Sequence, residues 1–322
     1  MEKVLTVSIA AYNVADYLPQ TLDSLICEEV MDKMEVIIVN DGSKDNTAEI
    51  AQRYVDLYPN TFKLINKENG GWGSTINESS KVATGKYYKL LDGDDWFETD
   101  NLPEFIRLLE NSDTDLVYTQ YTRVYEPDMK KELIELDHPY NKVLDAFLLD
   151  DCCNMHTLTV KTKIVNSEYL DITKHCFYTD MEFYVKVLRK AENFVGYPIS
   201  VYCYRLGREG QSVSARSHIK NFRQHETVMK KVLDIMDGNP KLERMKFKSG
   251  LSILTTHLQT ILIMKPTSEN YKKLKEFKKI VLKEQSWAIK HLRMYEKAVI
   301  ACPWLFYVPC VLYKRKKHDI NI

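Results

Sequence analysis

A chain of 322 residues, 44% hydrophobic and 28% charged, has enough material for one large domain or two smaller ones around a substantial core. Its formal net charge is zero, which argues against nucleic-acid binding, since that needs a concentrated basic surface. The charge is unevenly spread: Lys265 to Ile322 holds 14 Lys and Arg against 5 Asp and Glu, so the C-terminal end suits an anionic partner.

The opening MEKVLTVSIAAYN has one early lysine and then a strand-like run. It lacks the apolar stretch and cleavage site of a signal peptide, and a cytoplasmic protein is expected. Short apolar runs at Val4–Ala10, Val36–Val39, Phe62–Ile65, Tyr87–Leu91 and Leu116–Tyr118 predict buried strands. Between them, Leu18, Leu22, Leu25 and Ile26 recur at helical spacing, as do Ile50, Ala51, Tyr54 and Val55, and later Leu102, Phe105, Ile106 and Leu109. Strand and helix in alternation imply an α/β fold with a mainly parallel, Rossmann-like sheet and helices on both faces. Residues 120–210 add a strand near Leu158–Val160, a helix over Asp180–Arg189 and a strand over Phe194–Tyr204. From about Ser217 the pattern is helical, with Leu251, Leu254, Leu258, Ile261 and Leu262 apolar. The expected division is 1–215 for the α/β domain, 216–297 for a helical region and 298–322 for an apolar and basic tail.

In a parallel sheet, ligands bind at the carboxyl ends of the strands. Tyr12 and Asn13 follow the first strand, Asn40, Asp41 and Gly42 the second, Asn69 to Gly73 the third, and Asp92 to Asp95 the fourth. The three carboxylates of Asp92-Gly93-Asp94-Asp95 repel one another unless a cation compensates, and carboxylate oxygens suit Mg2+ or Mn2+. Gly93 lets the backbone turn sharply there. The same aspartates can instead cap a helix. Asp41 can accept a hydrogen bond from a base while Tyr12 stacks beside it, or Asp41, Ser43 and Asp45 can serve the next helix as caps. Asn69-Gly70-Gly71-Trp72-Gly73-Ser74 leads into a helix and is either a phosphate cradle or a tight turn. Asp180 opens a helix, where the charged carboxylate is favoured, as a base or as a cap.

In the order they occur, SIAAYN, VIIVNDGSKDNT, NGGWGSTIN, ATGKYYKLLDGDDWF and YTDMEFYVKVL resemble the motifs of bacterial-type family 2 glycosyltransferases over roughly residues 4–210. The resemblance implies a GT-A fold and transfer of a sugar from a nucleoside diphosphate, UDP foremost, to a hydroxyl of a saccharide or lipid-linked acceptor. A hexosyl or N-acetylhexosaminyl transfer with inversion, in surface polysaccharide or glycolipid assembly, would follow. The nucleotide-sugar set it implies is Ala11, Tyr12, Asn13, Asp41, Asn69, Asp92, Gly93 and Arg205. Asp94 would be the main ligand of a Mn2+ or Mg2+ ion with Asp92 assisting, and Asp180 the catalytic base. Thr179 stands where the family usually has Glu. The segment from Tyr204 resembles the one that covers the donor, so Arg205 or Arg208 can meet a diphosphate or lie in a solvated loop. Two other readings stay open: a sugar-nucleotide-forming nucleotidyltransferase, which would normally carry a glycine-rich basic loop where SIAAYN stands, and a binding module without catalysis.

Ala298 to Tyr313 is uncharged, broken by Pro303 and Pro309, and followed by Lys314-Arg315-Lys316-Lys317. It is too short to span a bilayer. Trp304, Phe306 and Tyr307 beside the basic cluster suit peripheral contact with an anionic membrane at its inner face, or packing on the helical region. Seven cysteines without metal-ligand spacing, including Cys152-Cys153, point to a reduced compartment and a structural role.

Overall fold

Runs rich in β-branched and aromatic residues occupy the strands that the alternation predicts. The computed structural model describes residues 2–149, 154–167, 170–207 and 214–317, in two compact units, Met1–Glu209 and Gly210–Ile322. Cys152, Cys153 and Arg208 lie outside the described residues.

The first unit contains β1 (Leu5–Ala11), β2 (Met34–Asn40), β3 (Phe62–Asn66), β4 (Tyr87–Asp92), β5 (Trp96–Phe97), β6 (Leu116–Tyr125), β7 (Lys130–Ile134), β8 (Leu144–Asp145), β9 (Leu158–Lys161) and β10 (Asn193–Leu206). Among the described residues these form one sheet in the order β3-β2-β1-β4-β9-β6-β10-β5, with β7 on β6 and β8 on β10. β3, β2, β1 and β4 are mutually parallel, as are β6 and β10, and β9 runs antiparallel between the two groups. β2 is buried along its whole length, as an inner parallel strand must be, whereas β3 at the edge buries only Phe62 fully.

Helices α1 (Leu18–Asp23), α2 (Thr47–Leu57), α3 (Trp72–Val82), α4 (Leu102–Asn111), α5 (Thr162–Val165) and α6 (Asp180–Lys190) cover the two faces. Leu5, Val7 and Ile9 of β1 pack in one cluster with Leu18 and Leu22 of α1, Ile50 of α2 and Phe105 of α4. Each such side chain, fully buried, contributes about 1.5–3 kcal/mol. The alternate residues of β1 face α3, where Ser8 Oγ donates to Ser79 Oγ at 2.7 Å. On that same face Thr6 Oγ1 and Lys63 Nζ donate to the buried carboxylate of Glu35, at 2.7 and 2.6 Å. α6 joins this face through a 2.9 Å hydrogen bond between the hydroxyls of Tyr184 and Tyr118.

The second unit is helical: α7 (Ala215–Lys220), α8 (Phe222–Met236), α9 (Pro240–Glu243), α10 (Ser249–Ile263), α11 (Ser268–Lys283), α12 (Met294–Ala301) and α13 (Pro303–Lys317). α10 buries Ile253, Leu254, Leu258, Ile261 and Leu262. His257 of the same helix stacks on Phe222 and His225, with Nδ1 of the two histidines 3.2 Å apart. Burial depresses both imidazoles, His225 to about 4 and His257 to about 2, so the pair is neutral. No helix among the described residues is long and apolar enough to cross a membrane.

Candidate active site

Register brings the predicted polar residues together. Ala11 pairs with Asn40, Asn40 with Asn66 and Ala10 with Asp92, so the ends of four parallel strands form one row. The loops beyond them are bonded to one another. Asn13, at φ +52°, donates its N–H to Ser43 Oγ at 3.0 Å, and its Oδ1 accepts from Lys44 N at 2.7 Å. Ala15 N donates to Asp45 Oδ2 at 3.0 Å. Ser43 and Asp45 therefore tie the second loop to the first; Asn46 stands at the N-cap position of α2 without a side-chain bond, and Asp45 Oδ1 accepts from Thr47 N, the first N–H of the helix, at 3.1 Å. Tyr12 projects from this row and is half exposed.

Asp41 is only 2% exposed. Its Oδ1 accepts from Lys67 Nζ at 2.6 Å and Gly70 N at 2.8 Å, and its Oδ2 from Gly71 N at 2.8 Å. Asn69 Nδ2 donates to its carbonyl at 3.0 Å. The carboxylate is thus turned inward, and what it does in this structure is order the glycine turn that opens α3. Gly71 at φ +81° is that helix's N-cap, and a Cβ on Gly73 would come within 2.5 Å of the Thr173 carbonyl oxygen. Close approach of two backbones, more than turn geometry alone, requires these glycines.

The segment lying on the turn leads to Asp180. His175 N donates to the Gly70 carbonyl, Asn77 exchanges hydrogen bonds with the backbone of Ile172, and Thr173 N reaches Glu182 Oε2 at 3.2 Å. His175 and Tyr178 both adopt left-handed backbone, at φ +53° and +66°, a conformation that these contacts must hold. Asp180 then begins α6. It is exposed at the start of the helix; desolvation raises the pKa of its carboxylate from 3.8, against backbone hydrogen bonds from Met181 and its own N–H. Thr179 is buried, and its hydroxyl has no hydrogen-bond partner among the described residues.

The acidic triplet follows β4. One oxygen from each of Asp92, Asp94 and Asp95 lies within 4.8 Å of the others. Gly93 N donates to the Ala10 carbonyl, and a Cβ there would stand 2.9 Å from that oxygen. The three aspartates have separate parts. Asp95 is buried beneath the loop and accepts from Tyr202 Oη at 2.6 Å and Arg205 N at 2.8 Å. Desolvation, then the charges of Asp94 and Asp92, push its pKa well up. Asp92 accepts from Trp72 Nε1 at 2.7 Å, which joins the acidic loop to the glycine turn. Asp92 and Asp94, partly exposed, are the carboxylates that could hold a hard cation, and an all-oxygen set of this charge fits Mn2+ or Mg2+.

Arg205 is 5% exposed. Nε donates to the Asp94 carbonyl at 2.7 Å, and the two terminal nitrogens bond Glu126 and Gln20. The guanidinium lies 5.0 Å from the Tyr17 ring centroid and 4.8 Å from that of Trp96. Its donors point into the protein, so as placed here it holds the acidic loop in position. His156, stacked at 4.2 Å on Tyr204 and 5.1 Å on Tyr121, is lowered to about 3 by burial and by neighbouring Lys89 and Arg123. Trp72, Tyr202, Lys67 and Glu126 were not picked out from the sequence. Only Trp72, inside the glycine turn, stood within a motif.

The sequence profile of glycosyl transferase family 2 matches residues 6–168. A Bacillus subtilis protein named as the glycosyltransferase EpsH is 38% identical over 118 residues, 37% of this chain and 33% of that protein. A Mycoplasma pneumoniae protein named as an uncharacterized glycosyltransferase is 43% identical over 97 residues, 29% of this chain and 32% of its own. The aligned segments thus span about a third of each relative's length. Among solved structures, Staphylococcus aureus TarS 1-349 in complex with UDP-GlcNAc superposes with a TM-score of 0.69 at 16% identity, covering 98% of this chain and 91% of that one. The mannosyltransferase PcManGT of Pyrobaculum calidifontis, in complex with GDP-Man and Mn2+, gives 0.54 at 15% identity over 98% and 87%. A profile match across half the chain, on a sheet of this topology with its acidic triplet at a strand end, places the protein in glycosyl transferase family 2, with the GT-A fold.

Proposed function

We propose that this protein transfers a hexosyl or N-acetylhexosaminyl group from a nucleoside diphosphate, UDP foremost, to an acceptor hydroxyl on a saccharide or lipid-linked saccharide. The observation that carries the reading is the convergence of Asp92 and Asp94 with the glycine turn through the Trp72–Asp92 hydrogen bond, at the row of strand ends where a parallel sheet binds its ligands. Tyr12, Asn13 and Ala11 line the nucleotide side, with Tyr12 against the base. Asn69 and Asp41 contribute by shaping the turn, and Gly93 by letting the acidic loop approach β1.

Asp180 takes the proton of the acceptor hydroxyl, the freed oxygen bonds to the anomeric carbon, and the bond to the diphosphate breaks with its electrons leaving on the phosphate oxygen. Attack from the face opposite the leaving group inverts the anomeric configuration. Asp94 and Asp92 would hold a divalent cation such as Mn2+ or Mg2+, which when bound would supply positive charge against the departing diphosphate. Arg205 acts as a positioning residue, through the Asp94 backbone. That the relatives carry glycosyltransferase names and a fold neighbour holds UDP-GlcNAc supports this reading over a nucleotidyltransferase or a binding module. Assembly of surface polysaccharide or glycolipid from a cytoplasmic position is the setting it fits.

The test is a panel of UDP-, GDP- and dTDP-sugars with Mn2+, monitored by release of free nucleoside diphosphate. Release from one nucleotide class is expected; release of pyrophosphate, or none from any donor, would overturn the assignment.

A further inference from the structure

The second unit carries a helix whose sequence and surroundings do not suit water. α13 buries one stripe, Pro303, Tyr307 and Val311, yet its outward side is also apolar: Trp304 is 76% exposed and Leu312 58%, and Leu305, Phe306, Val308 and Tyr313 are open as well. No charged residue interrupts the chain between Lys297 and Lys314. A helix that is apolar all round is normally covered all round.

The rim of this surface is cationic. At one end Lys278 Nζ donates to the Ala301 carbonyl, and Lys275 lies over the ring of Tyr271, which packs 5.6 Å from Tyr307. At the other end are Lys314, Arg315 and Lys316. Arg315 also lines a cavity of about 380 Å³, together with Lys265 and Lys273; its one acid, Glu269, pairs with Lys273 at 3.1 Å. An apolar, Trp- and Tyr-bearing helix face, a basic rim and a cationic cavity opening beside its end match the layers of an anionic bilayer: acyl boundary, headgroup level and phosphate. A symmetric second copy would cover the apolar face but set basic rim against basic rim.

We propose that the second unit docks on anionic phospholipid, with the outward face of α13 in the membrane interface and the Lys265–Lys273–Arg315 cavity receiving a lipid phosphate. This does not depend on the reaction assigned above.

The experiment is flotation of the full chain with vesicles of phosphatidylcholine alone and of phosphatidylcholine mixed with phosphatidylglycerol. Binding is expected only to the second and should fall with added salt. Trp304→Ser with Leu312→Ser, both at exposed positions, should weaken it roughly a hundredfold or more. Lys265→Gln with Lys273→Gln should weaken it roughly thirtyfold. Brominated phosphatidylglycerol should quench tryptophan emission of the wild type and not that of Trp304→Phe, a readout that stands even where the double variants fold poorly. Equal binding to both vesicle types, undiminished binding by the Trp304/Leu312 variant, or a lipid-independent dimer lost in that variant would overturn the proposal.

Discussion

Arg205→Met separates two parts that this residue could take. The substitution keeps the length and apolar stem of the side chain while removing a guanidinium that bonds the Asp94 carbonyl, Glu126 and Gln20 and lies between the rings of Tyr17 and Trp96. Breaking a buried ion pair by removing one partner costs about 3–5 kcal/mol. The side chain of Glu126 is 27% exposed, so water takes up part of its charge and the lower end, about 3 kcal/mol, is expected. For a unit of this size that lowers the melting temperature by about 6–12 °C. Because the acidic loop loses its anchor at Asp94, Mn2+ affinity should fall about 10–100-fold, as it does when a supporting residue of a metal site is lost. Thermal melting followed by circular dichroism, with Mn2+ titration by calorimetry, measures both. Unchanged melting together with a selective loss of nucleoside diphosphate affinity would show that Arg205 faces the donor and that the positioning argument is wrong.

Gly73→Ala should destabilise by roughly 1–3 kcal/mol in urea unfolding, because the new methyl would press on the Thr173 carbonyl; a gain of about 1 kcal/mol, the usual effect of Gly→Ala in a helix, would show that contact to be yielding. His225 and His257 are held below their unfolded value of 6.5, at about 4 and about 2. The unfolded chain therefore binds more protons, and stability falls as pH drops from 6.5 towards 4. His257→Gln should flatten that dependence, and an unaltered slope in urea titrations at several pH values would rule the pair out as its source. Asp180 must be charged to accept a proton and its pKa lies above 3.8, so kcat/KM should decline on acidification through a pKa above that value. A rate that still exceeds half its plateau at pH 3.8, where a group of raised pKa is already mostly protonated, would exclude it as the base.

The strand and helix pattern of the first unit was readable because buried parallel strands such as Val36–Val39 and helices such as Leu102–Leu109 have distinct apolar periods. The strand-end rule then gathered Asn13, Asp41, the glycine turn and the acidic triplet without any coordinates. What stayed hidden was the direction in which each side chain points. Nothing in the sequence separates an Asp41 that faces a base from one that accepts the N–H groups of Gly70 and Gly71. Nor does a loop arginine announce that it will be buried between Tyr17 and Trp96. Such partners are brought in by tertiary structure: Tyr202 and Arg205 stand more than a hundred residues from the aspartates they support. Of the two cap candidates ahead of α2, Asp45 does both jobs, taking the Thr47 N–H of its own helix on one oxygen and Ala15 N of the β1 loop on the other, whereas Ser43 bonds the β1 loop.

The central claim is that Asp180 activates the acceptor oxygen at a site built around Asp92 and Asp94. Wild type and Asp180→Asn can be compared with the donor selected from the panel, measuring Mn2+-supported donor binding by calorimetry and turnover by nucleoside diphosphate release, with water or saccharide as acceptor. The account predicts that the variant binds donor as wild type does and loses turnover by about 100-fold or more. Turnover at the wild-type rate would contradict it.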